Sequence, residues 1–324
     1  MLIELGLGTL SCQRDRLASD EPKTSTDLAH LNPGSGCDAD PVTCAGTLPL
    51  PCLMFLDPLL IAELATLGLC TGFLAGLLGI GGGMVMVPFL TILLTKLGVV
   101  PELTIKMAIA TSMATIVFTS ISSVRAHHKR GAVRWDLVQK LVPGIVLGSL
   151  LASMGIFALL KGSSLAIFFA LFVGFSATQM FLDKKPPPSR EVPGTAGLLG
   201  AGSVIGFFSG LVGAGGGFIS VPFMTWVNVS IHNAVATSAA LGFPIALANA
   251  TGYILSGLSL EHLPPYALGY IWLPGLLVIA TCSVLTAPWG AKAAHKLPVK
   301  RLKRLFASIL YLLAAYMLYK GLST

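Results

Sequence analysis

Along its apolar and polar positions the chain changes character at about residue 57. Residues 1–56 show no sustained hydrophobic period, are rich in Ser, Thr, Asp and Pro, and carry seven acids against three bases, so a mobile tail is expected there. From Pro58 onward, apolar runs follow one another, separated by Gly, Pro or charge, and their lengths predict helices. Ten are expected, five in each half: about 59–80, 83–97, 103–125, 137–160 and 163–182, then 195–214, 217–229, 232–257, 266–289 and 301–320. The second and seventh are too short to cross a hydrocarbon core of roughly 30 Å at about 1.5 Å per residue, which predicts partial helices that follow a break.

The break has a sequence signature. Gly72-Phe73-Leu74-Ala75-Gly76-Leu77-Leu78-Gly79-Ile80-Gly81-Gly82-Gly83-Met84-Val85-Met86-Val87-Pro88-Phe89-Leu90 returns as Gly206-Phe207-Phe208-Ser209-Gly210-Leu211-Val212-Gly213-Ala214-Gly215-Gly216-Gly217-Phe218-Ile219-Ser220-Val221-Pro222-Phe223-Met224, with eleven of nineteen positions identical. Three consecutive glycines inside apolar sequence interrupt a helix, since each weakens it by roughly 1 kcal/mol. The duplication continues at Ala108-Ile109-Ala110-Thr111-Ser112 and Ala234-Val235-Ala236-Thr237-Ser238, and Pro143-Gly144 is read as answering Pro274-Gly275.

Composition removes the soluble alternatives. With 54% hydrophobic and 11% charged residues, the chain cannot surround a soluble core with a polar surface. The net charge of +7 would suit nucleic acid, but beyond residue 90 the basic residues fall mainly in short loops, where they flank a membrane. No nucleic-acid partner is expected, and the lipid bilayer is.

Loop charge then sets orientation. Arg125, Lys129, Arg130 and Arg134 follow the third segment, Lys292, Lys296, Lys300, Arg301, Lys303 and Arg304 follow the ninth, and Lys184, Lys185 and Arg190 occupy the linker; all three regions are expected inside. The loop after the eighth segment, with Glu261 and His262, is expected outside. These assignments agree only if each half makes an odd number of crossings, either five spans or three plus a re-entrant glycine hairpin, which makes the halves inverted. The expected fold is therefore an all-α polytopic membrane protein of two inverted repeats, each a glycine-broken helix pair plus three transmembrane helices. Its parts are a tail (1–56), a first repeat (57–182), a cytoplasmic linker (183–194) and a second repeat (195–321), with both termini external. The opening residues lack a basic n-region and a long apolar core and make a poor secretory signal. Cys12, Cys37, Cys44 and Cys52 lie in the tail, where they are either paired in an oxidising compartment or reduced; Cys70 and Cys282 sit in apolar spans as packing residues.

Inverted repeats with helices broken at corresponding places are the architecture of secondary transporters. Glycine at Gly81, Gly82 and Gly83, and at Gly215, Gly216 and Gly217, leaves backbone N–H groups at the start of a following helix, where they and the positive dipole end favour an anion. The alternative is that these glycines only permit close packing, which is the reading taken for Gly72/Gly76, Gly206/Gly210 and Gly144/Gly148. Thr111, Ser112, Thr237 and Ser238 either offer hydroxyls to a polar substrate or bond back to their own helices. Neither triplet continues as a nucleotide loop: no Lys-Ser or Lys-Thr follows, and the sixth position of a dinucleotide fingerprint is Met84 or Phe218. No cofactor or metal is expected. Ser209-Gly210 is half of a hydrolase signature without a histidine, and His127, His128 and His295 are read as solvated charge in basic loops. Asn249, Gln179 and Pro244 are read as helix–helix hydrogen bonding and a kink. Past the tail the only acid placed within a span is Glu63, so a proton or sodium relay has little support, whereas an anion leaving a negative interior gains about 2.3 kcal/mol per charge per 100 mV.

The doubled G-x-x-x-G-x-x-G-x-G-G-G…V-P motif at Gly72–Pro88 and Gly206–Pro222, followed by Ala-Thr-Ser at 110–112 and 236–238, resembles the sulfite exporter TauE/SafE family over roughly residues 57–321. The resemblance implies a permease exporting sulfite, sulfoacetate or related organosulfonates, with the ten glycine, threonine and serine residues above in the family's repeated core. The chain departs from the family pattern in its tail, which leaves the plasma membrane or an organelle membrane as destinations. It also has Lys106 where the second half has His232; Lys106 is read either as tuning anion affinity or as snorkelling. Two other classes stand beside the transporter, a membrane scaffold or maturation factor and an intramembrane enzyme.

Overall fold

The computed structural model describes residues 57–79, 81–182, 193–258, 260, 263–294 and 299–323, the last stretch by backbone alone up to 303. The tail, Glu261, His262, His295 and most of the linker lie outside the described residues. Ten helices follow in order: α1 Pro58–Leu78, α2 Gly83–Lys96, α3 Pro101–His128, α4 Trp135–Leu159, α5 Gly162–Leu182, α6 Thr195–Val212, α7 Gly217–Trp226, α8 Ile231–Gly257, α9 Leu273–Ala293 and α10 Val299–Ser323. Within α4, residues Leu151–Ile156 form a π-helical turn. Eight of the ten are long and apolar enough to cross a membrane; α2, at 14 residues, and α7, at 10, are not.

Local chemistry sets the ends. Asp57 accepts from the Leu59 amide at 3.0 Å to cap α1, whose first residue, Pro58, has no N–H to leave unpaired. Pro101 starts α3 in the same way, and Ser230 caps α8 through the Asn233 amide. Both α1 and α6 close on a glycine in the left-handed region, Gly79 and Gly213. The ninth segment starts later than expected: Ala267–Leu268 pairs with Ile271–Trp272 as an antiparallel β-hairpin, and Leu273 begins the helix. Pro274 is consequently in the first turn of α9 while Pro143 is well inside α4, so these two prolines do not correspond. Glu102 and Asp136 also fall within helices, both exposed in first turns at helix ends.

Side-chain partners fix the helix directions. Along α3 and α9, Thr111 meets Trp272, Thr119 bonds Ser283 at 2.7 Å, Ser122 donates to the Val284 carbonyl at 2.8 Å and Arg130 donates to the Ala291 carbonyl at 3.2 Å, so the two run parallel. In α1, Gly68, Gly72 and Gly76 lie in turn against Ile279, Ser283 and Ala287 of α9, which makes α1 parallel as well. Gly144 and Gly148 of α4 lie against Leu199 and Ser203 of α6, and Arg134, Ser153 and Phe157 meet Thr237, Gly252 and Tyr253 of α8. Because α3 turns back into α4 through residues 129–134, helices α1, α3 and α9 run one way and α4, α6 and α8 the other. The paired glycines at i, i+4 are thus packing residues: a Cβ on any of Gly72, Gly76, Gly144 or Gly148 would enter the backbone of the helix opposite.

Helices α3 and α8 occupy the centre, with 72% and 61% of their apolar windows buried against 28–44% for the other six. The outward faces remain apolar, with Leu159, Phe175, Leu277, Trp289 and Leu312 among the most exposed side chains. In water this would be an aggregation surface; in a bilayer it is the lipid contact. Cys70 is exposed on such a face and Cys282 partly so, which removes Cys70 from the packed interior.

Candidate functional site

Each glycine triplet turns the chain between two helices. Gly82 and Gly216, at φ 73° and 78°, are the N-caps of α2 and α7, a left-handed conformation that side chains adopt only with strain. After its turn α2 runs back along α1, as the Lys96–Glu63 pair at 3.7 Å records by joining the end of one to the start of the other. In the first turns of α2 and α7 the Val85 and Ile219 amides donate to the Gly82 and Gly216 carbonyls at 3.2 Å and 3.1 Å, which leaves the amides of Gly83 and Met84, and of Gly217 and Phe218, without an intrahelical acceptor.

The two breaks meet. A Cβ built on Gly81 would stand 3.0 Å from the Gly215 Cα, and one on Gly83 would enter the Gly213 carbonyl and come within 2.9 Å of the Ser112 hydroxyl. The Thr-Ser pairs reach across in a reciprocal way. Ser112 donates to the Gly213 carbonyl at 3.0 Å, and Ser238 donates to the Gly79 carbonyl at 2.9 Å. Thr111 accepts from the Trp272 amide at 3.0 Å, and Thr237 accepts from the Arg134 amide at 3.0 Å. All four side chains are fully buried. The structure therefore brings Gly81, Gly83, Gly215, Ser112 and Ser238 together where the breaks meet, whereas Gly82 lies against Thr71, Gly216 against Ile245 and Ile205, and Thr111 and Thr237 against Trp272 and Arg134; all four hydroxyls have backbone partners in the opposite half.

Beside this junction a small cavity of about 10 Å³, room for about one water molecule, is lined by Ala75, Gly79, Gly81, Ile116, Thr119, Ser120, Ser123, Ala239 and Gly242. Thr119 bonds both the Thr115 carbonyl and the Ser283 hydroxyl of α9, and Ser120 bonds locally, to the Val117 carbonyl. Ser123 differs: its hydroxyl is 2% exposed and has no hydrogen-bond partner among the described residues. Sequence reasoning missed these three hydroxyls. Their signal was legible as a stripe in an otherwise apolar span, Thr111, Thr115, Thr119 and Ser123 at i, i+4 spacing, which puts all four on one face of α3. The second half has Leu241, Ile245 and Asn249 at the last three of these places.

Several residues sit differently from expectation. His127 is not solvated loop charge: it is 1% exposed in the last turn of α3, with Nε2 3.2 Å from the Gly76 carbonyl. At the corresponding place in α8, the Tyr253 hydroxyl donates to the Gly210 carbonyl. His128 is exposed and bonds Trp135 Nε1 at 3.1 Å. Asn249 does not bridge helices; its amide nitrogen donates within α8 to the Ile245 carbonyl at 2.8 Å. Lys106 does not snorkel outward, because its ammonium donates at 3.0 Å to the Ala158 carbonyl at the end of α4 and lies 5.6 Å and 5.9 Å from the Tyr270 and Phe157 rings. No group of three His, Cys, Asp or Glu side chains able to hold a metal occurs among the described residues.

The family described as Sulfite exporter TauE/SafE matches residues 64–317 of this chain. A probable membrane transporter protein of Haemophilus influenzae is 39% identical over 255 residues, covering 78% of this chain and 96% of its own. A probable membrane transporter protein of Methanocaldococcus jannaschii is 29% identical over 273 residues, 80% of this chain and 96% of its own. The probable membrane transporter protein YunE of Bacillus subtilis is 27% identical over 288 residues, 80% and 97%. No solved structure matches.

Proposed function

This chain, an integral multi-pass membrane protein, belongs to the sulfite exporter TauE/SafE family, and from that premise we propose that it carries a small sulfur-containing anion such as sulfite, sulfoacetate or another organosulfonate out of the cell. The observation that carries the reading is the buried, partnerless Ser123 hydroxyl in a cavity walled by the first glycine break. Buried polar groups are almost always satisfied, so an orphan facing a cavity is a donor waiting for an acceptor. Gly81 to Gly83 and Gly215 to Gly217 supply the second set of donors, backbone N–H groups at the starts of α2 and α7. The positive dipole ends of those helices, about half a charge each, converge on one anion. Ser112 and Ser238 belong to the same site as the bonds that hold the two breaks in place, and Thr111 and Thr237, one residue earlier in each helix, tie down the starts of α9 and α4.

We take the two halves to be an inverted repeat, supported by the opposed directions of α1, α3, α9 and α6, α8, α4 and by the reciprocal Ser and Thr bonds. A site of amides and hydroxyls without a fixed Lys or Arg at depth holds an anion weakly enough to let it go. Export follows from the membrane potential, which favours departure of a negative charge from a negative interior.

The test is uptake of radiolabelled sulfite, sulfoacetate and other sulfonates into inverted vesicles containing the protein. Accumulation above empty vesicles is expected, with the apparent KM for the carried anion raised roughly tenfold in Ser123→Ala if a hydrogen bond worth about 1.5 kcal/mol is lost. Vesicles that accumulate none of these anions would overturn the proposal.

A further inference from the structure

We infer that a second half-site for the same anion, built from Ser149, Ser209 and Asn249, lies toward the opposite face as the closed counterpart of the cavity at Ser123. Its ligand rests on the transport reading above; its place rests on geometry. Three pairs of bonds correspond between the halves. Ser112 to Gly213 answers Ser238 to Gly79, Thr111 with Trp272 answers Thr237 with Arg134, and His127 with Gly76 answers Tyr253 with Gly210. Under this correspondence the cavity residues Ala75, Thr119, Ser120 and Ser123 map to Ser209, Ile245, Ala246 and Asn249, while Ile116 and Gly242 exchange with each other. Those two residues therefore border both places.

The mirrored place does not carry the chemistry of simple packing. Ser149 Oγ, Ser209 Oγ and Asn249 Oδ1 are buried and without hydrogen-bond partners among the described residues. Ser149 Oγ and Asn249 Oδ1 face the second half of α6, and Ser209 Oγ, from α6 itself, faces the start of α7. Ser149 Oγ is 2.8 Å from where a Cβ on Gly206 would stand, Asn249 Oδ1 crowds the same position on Gly210 one turn later, and Ser209 Oγ is 3.2 Å from that position on Gly216. The Asn249 amide nitrogen is engaged by the Ile245 carbonyl, which turns its oxygen toward Gly210. Three orphaned polar groups in one buried region mark a surface made for another arrangement of the helices, in which water or a polar ligand reaches them. Ile245 blocks that arrangement here: its Cδ1 lies against Gly216, at the place where the first half has Thr119.

The ligand class is the small oxyanion of the transport reading. Ser149 and Ser209 give two donors to its oxygens, and the first-turn amides of α7 add their N–H groups. Asn249 Oδ1 takes the proton of a hydrogen-bearing form or of a water that accompanies the anion. Ser123 lies in the last turns of α3, toward the loop 129–134, whereas Ser209 and Asn249 lie near the ends of α6 and α8, toward the hairpin 267–272. Loading at one and release at the other, around the shared Ile116 and Gly242, is a carrier cycle.

Single cysteines at Ser209→Cys, Ala246→Cys and Ser123→Cys in the full chain test this, with an impermeant maleimide applied from either side of the membrane and the unsubstituted chain labelled in parallel as the reference for its own cysteines. Methanesulfonate serves as the anion probe, because sulfite attacks the reagent. Positions 209 and 246 are expected to be modified from the hairpin face and position 123 from the face of loop 129–134, each more slowly with methanesulfonate present. Positions 209 and 246 both refractory from the hairpin face in inserted protein that still labels at 123, or modified only from the 129–134 face, would overturn the inference. Labelling locates the half-site without a transport assay, so a protein that moves no sulfur anion yet shows this pattern sinks the transport reading and not the two-faced path.

Discussion

The Ser238 hydroxyl, in the second half of the chain, donates across 2.9 Å to the carbonyl of Gly79, the residue that closes α1 two places before the first glycine triplet. Ser238 also accepts from Ser220 at 2.9 Å, so one side chain ties α8, α7 and the end of α1 together. Its counterpart Ser112 makes only the cross-half bond, to Gly213. Removing either hydroxyl leaves a buried carbonyl without its acceptor role filled, at a cost of about 1 kcal/mol for each lost bond. Ser238→Ala is expected to lower the unfolding temperature of the detergent-solubilised protein more than Ser112→Ala, since it breaks two bonds to the other's one. Equal shifts in thermal unfolding would contradict this.

Glycine substitutions separate backbone strain from collision. Gly131 has φ 66° and open space around it, so Gly131→Ala incurs only the left-handed penalty of about 1 kcal/mol, and insertion and transport are expected to survive. Gly83 lacks a positive φ, but its Cβ would enter the Gly213 carbonyl, so Gly83→Ala separates the two breaks. Transport in vesicles should fall to background for Gly83→Ala at unchanged membrane insertion. Gly76→Val is expected to lose insertion as well, because the side chain would meet the backbone of α9 at Ala287.

Thr111 and Thr237 anchor the residues that precede α9 and α4, through the Trp272 and Arg134 amides. Thr111→Val should raise hydrogen exchange at Trp272 and along 267–272 while leaving Arg134 unchanged, and Thr237→Val should do the reverse. Exchange rates indifferent to both changes would show that these bonds do not hold the loops.

Orientation is open to direct labelling. Cysteine at the exposed Tyr266 is expected to react with an impermeant reagent in intact cells, and cysteine at the exposed Gly131 is expected to be spared. Reaction at 131 from outside would reverse the assignment that loop charge implies.

The chain's apolar periodicity determined ten helices and their order, because run length and Gly or Pro punctuation are local properties, and its repeat located both breaks at Gly81–Gly83 and Gly215–Gly217. Even α2 and α7 were legible as short helices, since too few apolar residues follow each triplet. The start of α9 was not, because residues 267–272 are as apolar as a helix end and become a hairpin only through pairing of Ala267 with Trp272 and docking on Thr111. Tertiary structure alone decided that the two breaks touch and that Ser112 and Ser238 bond across the halves. It alone decided that His127 is buried against Gly76, and that Ser123 rather than Thr111 carries the orphaned hydroxyl in the cavity. A hydroxyl at a given place on a helix looks the same in sequence whether its partner is its own carbonyl, another helix or none. Only the placement of α1, α3, α6 and α8 around one another selects among the three.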